Sequence, residues 1–205
     1  MDYSLYLITA HRKGELETVA AAVAGGVRLL QFRHKGAMGE EDLNHARELQ
    51  RICRSAGIPF IVNDHLELAH ALGAEGVHLG QRDGEPERAR RLLGPSAVIG
   101  VSVGSVAEAI AAQEAGADYL GAGDVFGTSS KADVDPPIGL EGLGEIVRAV
   151  SIPVVAIGGV TVENAGRAVA AGAAGVAVIS AIYDAADPED AAGRLSDAVR
   201  REVRG

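Results

Sequence analysis

The fold is decided by a short pattern that is clearest in the stretch EAGADYLGAG at residues 114–123. The stretch reads as the end of a helix, a small residue or glycine, and then a short apolar strand. The same pattern returns as SAGIPFIVND at 55–64, ALGAEGVHLG at 71–80 and AAGAAGVAVIS at 170–180. Glycine after a helix supplies a left-handed C-cap, and alanine keeps the helix close to the sheet. The repeat therefore predicts consecutive strand–helix units.

Working outward from this repeat, continuous apolar runs predict eight strands that are buried on both faces. The predicted strands are Leu5–Ile8, Leu29–Phe32, Phe60–Val62, Gly76–Leu79, Val98–Val101, Tyr119–Ala122, Val154–Ile157 and Gly175–Ile179. Amphipathic helices are predicted between them, for example at Glu15–Ala24, Glu40–Ser55, Val106–Ala115, Gly142–Val150 and Pro188–Arg200. No break in composition divides the units, so we expect an α/β fold, a single-domain (β/α)₈ TIM barrel over residues 1–205. An open doubly wound sheet is the rival architecture, but it would keep the edge strands that closure removes.

The composition indicates an aliphatic core and a poor partner for polyanions. Hydrophobic residues make up 47% of the chain and aromatic residues only 3%, so Ala, Val, Leu, Ile and Gly must build the core. The net charge of −9 opposes binding to nucleic acid or anionic lipid, and we expect neither nucleic-acid nor membrane partners. The single cysteine, Cys53, can form no intramolecular disulfide and is expected to be buried.

The first residues carry no basic segment before their short apolar run, which is too short for a signal peptide or a membrane span. We therefore expect a cytoplasmic protein. The sequence leaves the oligomeric state open, a homo-oligomer included.

In a barrel of this kind, the chemistry lies at the carboxyl ends of the strands. The second predicted strand ends in Gln31, Arg33 and Lys35, and their alternate spacing sends the side chains to one side. Arginine offers a planar guanidinium with paired N–H donors, and lysine offers a mobile point charge. In an acidic protein this group predicts an anion clamp, and a solvated strand end is the alternative.

Two aspartates follow the third and fourth predicted strands, Asp64 and Asp83. Neighbouring strands lie about 5 Å apart, so the two carboxylates can point at a shared spot. Hard oxygen ligands without histidine or cysteine partners suit Mg²⁺. The alternatives are a helix N-cap for Asp64 and a loop or cap position for Asp83.

The longest predicted loop, residues 123–139, follows the sixth strand and carries Thr128, Ser130 and Lys131. Long loops in compact folds are usually functional, and these side chains could hold a phosphate by hydroxyls and one charge. A plain surface loop is the alternative.

The seventh and eighth strands form the recurrent phosphate site of TIM barrels. Gly158 and Gly159 follow the seventh strand and Ser180 the eighth. The glycine pair lets backbone N–H groups approach an oxyanion, although a tight turn would need the same residues. One face then carries a monophosphate site and a metal-chelated pyrophosphate site, which is typical of a displacement in which pyrophosphate leaves.

These residues stand in motifs that resemble those of the thiamine phosphate synthase family along almost the whole chain. The motifs are QFRHK at 31–35, IVND at 61–64, GVHLGQRD at 76–83, GVS at 100–102, GTSSK at 127–131, IGGV at 157–160 and VISAI at 178–182. The resemblance implies a transferase that joins hydroxymethylpyrimidine diphosphate to a thiazole phosphate, giving thiamine phosphate and pyrophosphate. It also implies a dissociative reaction, in which pyrophosphate leaves a methylene cation that the thiazole nitrogen captures.

The resemblance further implies residue roles. The pyrimidine diphosphate would be bound by Gln31, Arg33, Lys35 and Asn63, and completed by Ser102 and Lys131. Mg²⁺ would be bound by Asp64 and Asp83. The thiazole phosphate would be held by Thr128, Ser130, Gly159, Ile179 and Ser180. The groups expected to assist the chemistry are Arg33, Lys35, Ser102 and Lys131.

Three positions depart from the family pattern. His65 stands where an acidic residue is common, Gly104 where histidine is usual, and Gly127 where proline is usual.

The alternatives to the synthase are a thiazole tautomerase-like isomerase on the same barrel and a catalytically silent phosphate-ligand-binding regulator. Gly104 counts against the tautomerase, which resembles this fold but relies on that histidine. We expect His78 to be structural or pocket-lining and His11 to be a solvated loop residue.

Overall fold

Eight parallel strands close into a barrel in chain order, so the prediction of a TIM barrel is confirmed. The computed structural model describes residues 1–80, 86–127 and 136–203. The strands are β1 (Leu5–Ile8), β2 (Leu29–Phe32), β3 (Phe60–Asn63), β4 (Gly76–Leu79), β5 (Val98–Val103), β6 (Tyr119–Ala122), β7 (Val154–Ile157) and β8 (Gly175–Val178).

Helices follow the strands around the outside. They are α1 (Glu15–Ala24), α2 (Glu40–Ala56), α3 (Leu66–Leu72), α4 (Pro86–Leu93), α5 (Val106–Glu114), α6 (Gly139–Ala149), α7 (Ala165–Ala170), α8 (Ser180–Tyr183) and α9 (Pro188–Val203). Within the described ranges, no helix has the length and apolar character needed to cross a membrane.

Several element bounds differ from the sequence prediction by one to three residues, and three of these differences have a clear structural cause. β5 continues to Val103 because Ser102 and Val103 keep pairing with β6. β8 ends at Val178 because Ile179 leaves the extended conformation, with φ −125° and ψ −80°. α6 begins at Gly139, where the Gly142 N–H already donates to the Ile138 carbonyl.

The core has two layers that follow the two faces of the strands. The larger layer lies between barrel and helices and includes Leu5, Leu7 and Cys53, whose predicted burial is confirmed. The smaller layer fills the barrel and includes Tyr6, Leu29 and Tyr119. Inward positions alternate along each strand, so the sequence positions of Gln31, Asn63, His78 and Ser102 place them toward the carboxyl end of this interior.

Candidate active site

A hydrogen-bonded chain of five side chains crosses the barrel interior, and we call it the interior network. The Gln31 amide Nε2 donates to the Tyr6 hydroxyl at 2.8 Å, and the Tyr6 and Tyr119 hydroxyls are 2.9 Å apart. His78 Nδ1 lies 2.9 Å from the Tyr119 hydroxyl, and His78 Nε2 lies 2.9 Å from Ser102 Oγ. The network joins two predicted substrate-binding residues, Gln31 and Ser102, through three residues with no predicted catalytic role.

Glycines on neighbouring strands make room for the rings of this network. A Cβ at Gly100 would lie 2.2 Å from Cζ of Tyr119, and a Cβ at Gly121 would lie 3.0 Å from Cε1 of His78. Burial raises the pKa of both Tyr6 and Tyr119 far above the ordinary value of 10.0. In Tyr6, burial raises the pKa by more than the hydrogen bonds to Tyr119 and Gln31 lower it. Both hydroxyls therefore stay neutral and each can donate and accept a hydrogen bond.

A cavity of about 400 Å³ opens at the carboxyl ends of β1, β2 and β8. Residues that line it include Thr9, His11, Arg33, His34, Lys35 and Ile179. The side chains of Arg33 and Lys35 make no ion pair with any described residue. Thr9 Oγ1 accepts the Arg33 N–H at 2.8 Å and so fixes the end of β2. Two cations at a cavity wall, with no ion-pair partner in the part of the chain that the structure describes, favour an anionic ligand.

The structure divides the predicted clamp into two parts. Gln31 is only 3% exposed and belongs to the interior network, whereas Arg33 and Lys35 line the cavity. The reason is that β2 ends at Phe32, so the strict alternation of the strand does not continue through the two cations.

Asp64 follows β3 in the left-handed conformation, with φ 61°. Non-glycine residues in this region are uncommon and gather at functional sites. Asp64 Oδ1 accepts the Gly80 N–H at 3.1 Å, and Asp64 Oδ2 accepts a hydrogen bond from Asn63 Nδ2. The N-cap of α3 is His65 rather than Asp64. These contacts aim the carboxylate across the ends of β3 and β4. Its predicted partner, Asp83, lies outside the described residues.

The glycine pair after β7 is packed against the segment that follows β6. A Cβ at Gly158 would lie 1.7 Å from Asp124 Oδ1, and a Cβ at Gly159 would lie 2.1 Å from the Gly127 carbonyl oxygen. Both glycines also have positive φ angles, 97° and 61°. Loop packing and backbone conformation therefore require glycine at both positions. Ser180 begins the four-residue helix α8.

Three further predicted site residues, Thr128, Ser130 and Lys131, lie outside the described residues.

Sequence reasoning missed two groups. The first is the tyrosine pair of the interior network, for which the signal is a tyrosine beside inward-facing glycines. The second is a group of histidines and carboxylates beside the cavity: His11, His34, His45, Glu15 and Asp42. His11 was expected to be a solvated loop residue, and although its side chain is 50% exposed, it lines the cavity wall.

Glu15 holds this second group in place from the start of α1. Its side chain is fully buried, and Oε1 accepts the N–H groups of Ala10 and His11, both at 2.8 Å, and the Tyr183 hydroxyl at 2.7 Å. Oε2 lies 2.8 Å from His45 Nε2. Burial raises the pKa of Glu15, but these hydrogen bonds together outweigh it and hold the pKa below its ordinary value. Glu15 is therefore an ionised anchor for the loop after β1.

The family model, the curated relatives and a solved structure all point to the same family. The family model described as thiamine monophosphate synthase matches residues 5–182. A thiamine-phosphate synthase from Moorella thermoacetica is 46% identical over 204 residues, covering 98% of this chain and 97% of that protein. One from Natronomonas pharaonis is 49% identical over 205 residues, covering 97% and 95%. The solved structure of a thiamine phosphate pyrophosphorylase from Pyrococcus furiosus has a TM-score of 0.90 and 41% identity, covering 98% of both chains.

Proposed function

The chain belongs to the thiamine monophosphate synthase family and is a transferase, and we propose that it joins hydroxymethylpyrimidine diphosphate to thiazole phosphate. The products are thiamine phosphate and pyrophosphate. The observation that carries this proposal is the pair Arg33 and Lys35, which line a cavity of about 400 Å³ without an ion-pair partner among the described residues. A diphosphate supplies the charge that such a pair lacks.

Arg33 and Lys35 bind the diphosphate and stabilise the negative charge that grows on it as the carbon–oxygen bond breaks. Preorganised donors aimed at developing charge are commonly the largest electrostatic contribution to catalysis. Lys131 adds a third cation to this group. Gln31, Asn63 and Ser102 hold the pyrimidine by neutral hydrogen bonds, and the interior network fixes the orientation of the first and the last of them.

Asp64 fits the chemistry of a Mg²⁺ ligand. It offers hard carboxylate oxygens, and the Gly80 N–H and Asn63 amide hold it at the carboxyl end of β3. Mg²⁺ takes one or two protein carboxylates and is completed by water and substrate phosphate. We therefore propose that Asp64 and Asp83 hold Mg²⁺, which when bound would neutralise charge on the leaving pyrophosphate.

The thiazole phosphate occupies the ends of β7 and β8. Gly159 and Ser180 offer backbone and hydroxyl groups, Thr128 and Ser130 add hydroxyls, and Ile179 supplies the apolar wall already seen in the cavity.

The reaction proceeds without a protein nucleophile. Ser102 Oγ lies 2.9 Å from His78 Nε2, and His78 Nδ1 lies 2.9 Å from the Tyr119 hydroxyl, which burial keeps neutral. In hydrolase triads a carboxylate holds that Nδ1 position. Ser102 is thus a hydrogen-bonding group in this proposal. Cys53 is fully buried, and burial raises its pKa to about 12.

Pyrophosphate release by the purified full-length chain tests the proposal. We expect release only with both substrates and Mg²⁺, and none with EDTA. Arg33→Ala and Asp64→Ala should each lower kcat/KM at least about 100-fold, the typical effect of losing one preorganised charge-stabilising group. Arg91→Ala is the matched control, because Arg91 is an exposed cation on α4 whose one ion pair within the described part of the chain is with Glu87 on the same helix. A folded protein that binds thiazole phosphate but releases no pyrophosphate would overturn the proposal in favour of an isomerase or a silent binder.

A further inference from the structure

Two imidazoles and one carboxylate meet at the wall of the cavity. His11 Nε2 lies 3.6 Å from Asp42 Oδ1, and His34 Nδ1 lies 3.7 Å from the same oxygen. The three potential ligand atoms all lie within 4.8 Å of one another. The rings of His11 and His34 meet edge to face with centroids 5.0 Å apart. We call these three residues the histidine site.

The distances in the histidine site suit a shared ion better than hydrogen bonds. A hydrogen bond from an imidazole N–H to oxygen spans about 2.7–3.2 Å, so 3.6 and 3.7 Å are too long. Zn²⁺ binds nitrogen and oxygen ligands at about 2.0–2.2 Å in tetrahedral geometry, which separates neighbouring ligand atoms by about 3.4 Å. The two observed nitrogen–oxygen separations therefore lie close to those of a tetrahedral coordination shell.

His34 supplies an independent sign of a missing partner. Its Nδ1 is buried and has no hydrogen-bond partner among the described residues, and its side chain is only 11% exposed. Buried polar atoms are almost always paired. The unpaired nitrogen points to a ligand that it binds.

The other two ligands are held by neighbouring groups. Asp42 Oδ2 accepts the Gly39 N–H at 2.8 Å, and this contact turns Oδ1 toward the two imidazoles. His11 has a left-handed backbone, φ 54°, and its N–H donates to the buried carboxylate of Glu15. Such outer contacts orient metal ligands in known metal sites.

A second set of residues, His11 with Glu15 and His45, also lies within ligand distance. The Glu15 oxygens and His45 Nε2 of this set are already satisfied, because Glu15 Oε2 and His45 Nε2 are 2.8 Å apart and Oε1 accepts three other donors. Binding a metal there would break an existing hydrogen bond, whereas binding at Asp42 would not.

We propose that His11, His34 and Asp42 form a binding site for one divalent transition metal ion of the Zn²⁺ class. Imidazole nitrogen favours such ions, while oxygen-only sites favour Mg²⁺. Three protein ligands leave a fourth position open to water or an anion, and His11 and His34 share the cavity with Arg33 and Lys35. The ion would therefore add positive charge to the cavity wall, at a site separate from Asp64.

Metal titration of the untagged full-length chain tests the site without any substrate. Zn²⁺ binding is measured by calorimetry and Co²⁺ binding by visible absorption, both in excess Mg²⁺ so that oxygen-only sites are filled. We expect one equivalent of each ion and the intense visible bands of tetrahedral Co²⁺. We expect binding to weaken at least about 100-fold in each of the variants His34→Gln, His11→Asn and Asp42→Asn. Losing a residue that only orients a ligand costs about 10–100-fold, so an effect of this size indicates a direct ligand.

His70→Gln and His45→Gln are the controls. His70 is exposed on α3, and His45 belongs to the second set. Both should bind as the unmodified chain does. Imidazole ¹H–¹⁵N spectra of the unmodified chain provide a check that needs no variant, since Zn²⁺ should shift the resonances of His11 and His34 and leave those of His70 in place. No binding, unchanged binding in His34→Gln, or loss of binding in His45→Gln would overturn the proposal.

Discussion

Replacing Tyr119 by phenylalanine removes the hydroxyl at the centre of the interior network. That hydroxyl lies 2.9 Å from both the Tyr6 hydroxyl and His78 Nδ1, and Tyr119 is fully buried. In the variant Tyr6 keeps the Gln31 amide as a donor, but Nδ1 of His78 loses the partner seen here. Removing one partner of a buried hydrogen bond costs about 1–3 kcal/mol. In a domain of this size 1 kcal/mol shifts Tm by about 2–4 °C, so we expect Tm to fall by about 2–12 °C.

The same variant should also lower activity, because His78 positions Ser102. We expect kcat to fall on the order of 10-fold, which corresponds to about 1.4 kcal/mol, with a smaller change in KM. Because the two residues act through one network, Ser102→Ala combined with Tyr119→Phe should cost less than the sum of the single effects. Calorimetric Tm and pyrophosphate release measure the two outcomes separately.

Tyr3→Phe is the matched control for this prediction. The Tyr3 ring packs 4.9 Å from the Tyr119 ring and is 8% exposed, but its hydroxyl makes no hydrogen bond to any described residue. Its removal should leave Tm and kcat nearly unchanged. Equal losses in Tyr3→Phe and Tyr119→Phe, or no loss in Tyr119→Phe, would refute the network as the cause.

Three further predictions concern stability and reactivity. Gly100→Ala should lower the free energy of unfolding by about 1–3 kcal/mol because its Cβ would lie 2.2 Å from Tyr119. Gly193→Ala in α9 should raise the free energy of unfolding by about 0.5–1 kcal/mol, because the atom nearest to the new Cβ would be 3.8 Å away and alanine favours a helix over glycine. Urea unfolding in which Gly193→Ala is less stable than Gly100→Ala would contradict this. The Glu15 carboxylate has a pKa below its ordinary 4.5 in the folded state, so its stabilisation is complete above pH 4.5 and is lost as pH falls through the folded pKa. Glu15→Gln should therefore flatten the pH dependence of urea unfolding below pH 4.5, and an unchanged slope would count against the anchor role. Burial raises the pKa of Cys53 to about 12, so alkylation of the folded protein at neutral pH should be no faster than unfolding, and rapid labelling would show the thiol to be accessible.

The strands were predictable because a barrel strand buried on both faces is a short apolar run. β1, β2, β4, β6 and β7 have the bounds that these runs predict. β5 does not, since its inward residue Ser102 is polar and interrupts the apolar run while the backbone ladder continues. From the sequence alone, a polar residue inside a strand that faces the barrel interior cannot be distinguished from a polar residue that ends the strand.

The candidate site was predictable only where its residues stand together at one strand end. Arg33 and Lys35 could be read in this way, and the structure places them at one cavity with Ile179. The histidine site could not, because His11 and His34 become neighbours through the register of β1 and β2. Ile8 pairs with Gln31, and each histidine lies three residues beyond its member of that pair. Register depends on the closure and tilt of the barrel, which the sequence pattern does not contain.

The distribution of charge in the site follows from the reaction proposed for it. Loss of pyrophosphate creates an anion on one side of the breaking bond and a methylene cation on the other. The cations Arg33 and Lys35 stand at the cavity, where they favour the anion. The groups proposed to bind the pyrimidine from the barrel interior, Gln31 and Ser102, are an amide and a hydroxyl, and the network behind them contains two tyrosines that burial keeps protonated. A lysine or arginine in the interior would repel the methylene cation, whereas uncharged amide and hydroxyl groups position the pyrimidine without that cost. Gln31, Ser102 and the two tyrosines would therefore combine rigid positioning with uncharged groups at the carbon that changes partners in the proposed reaction.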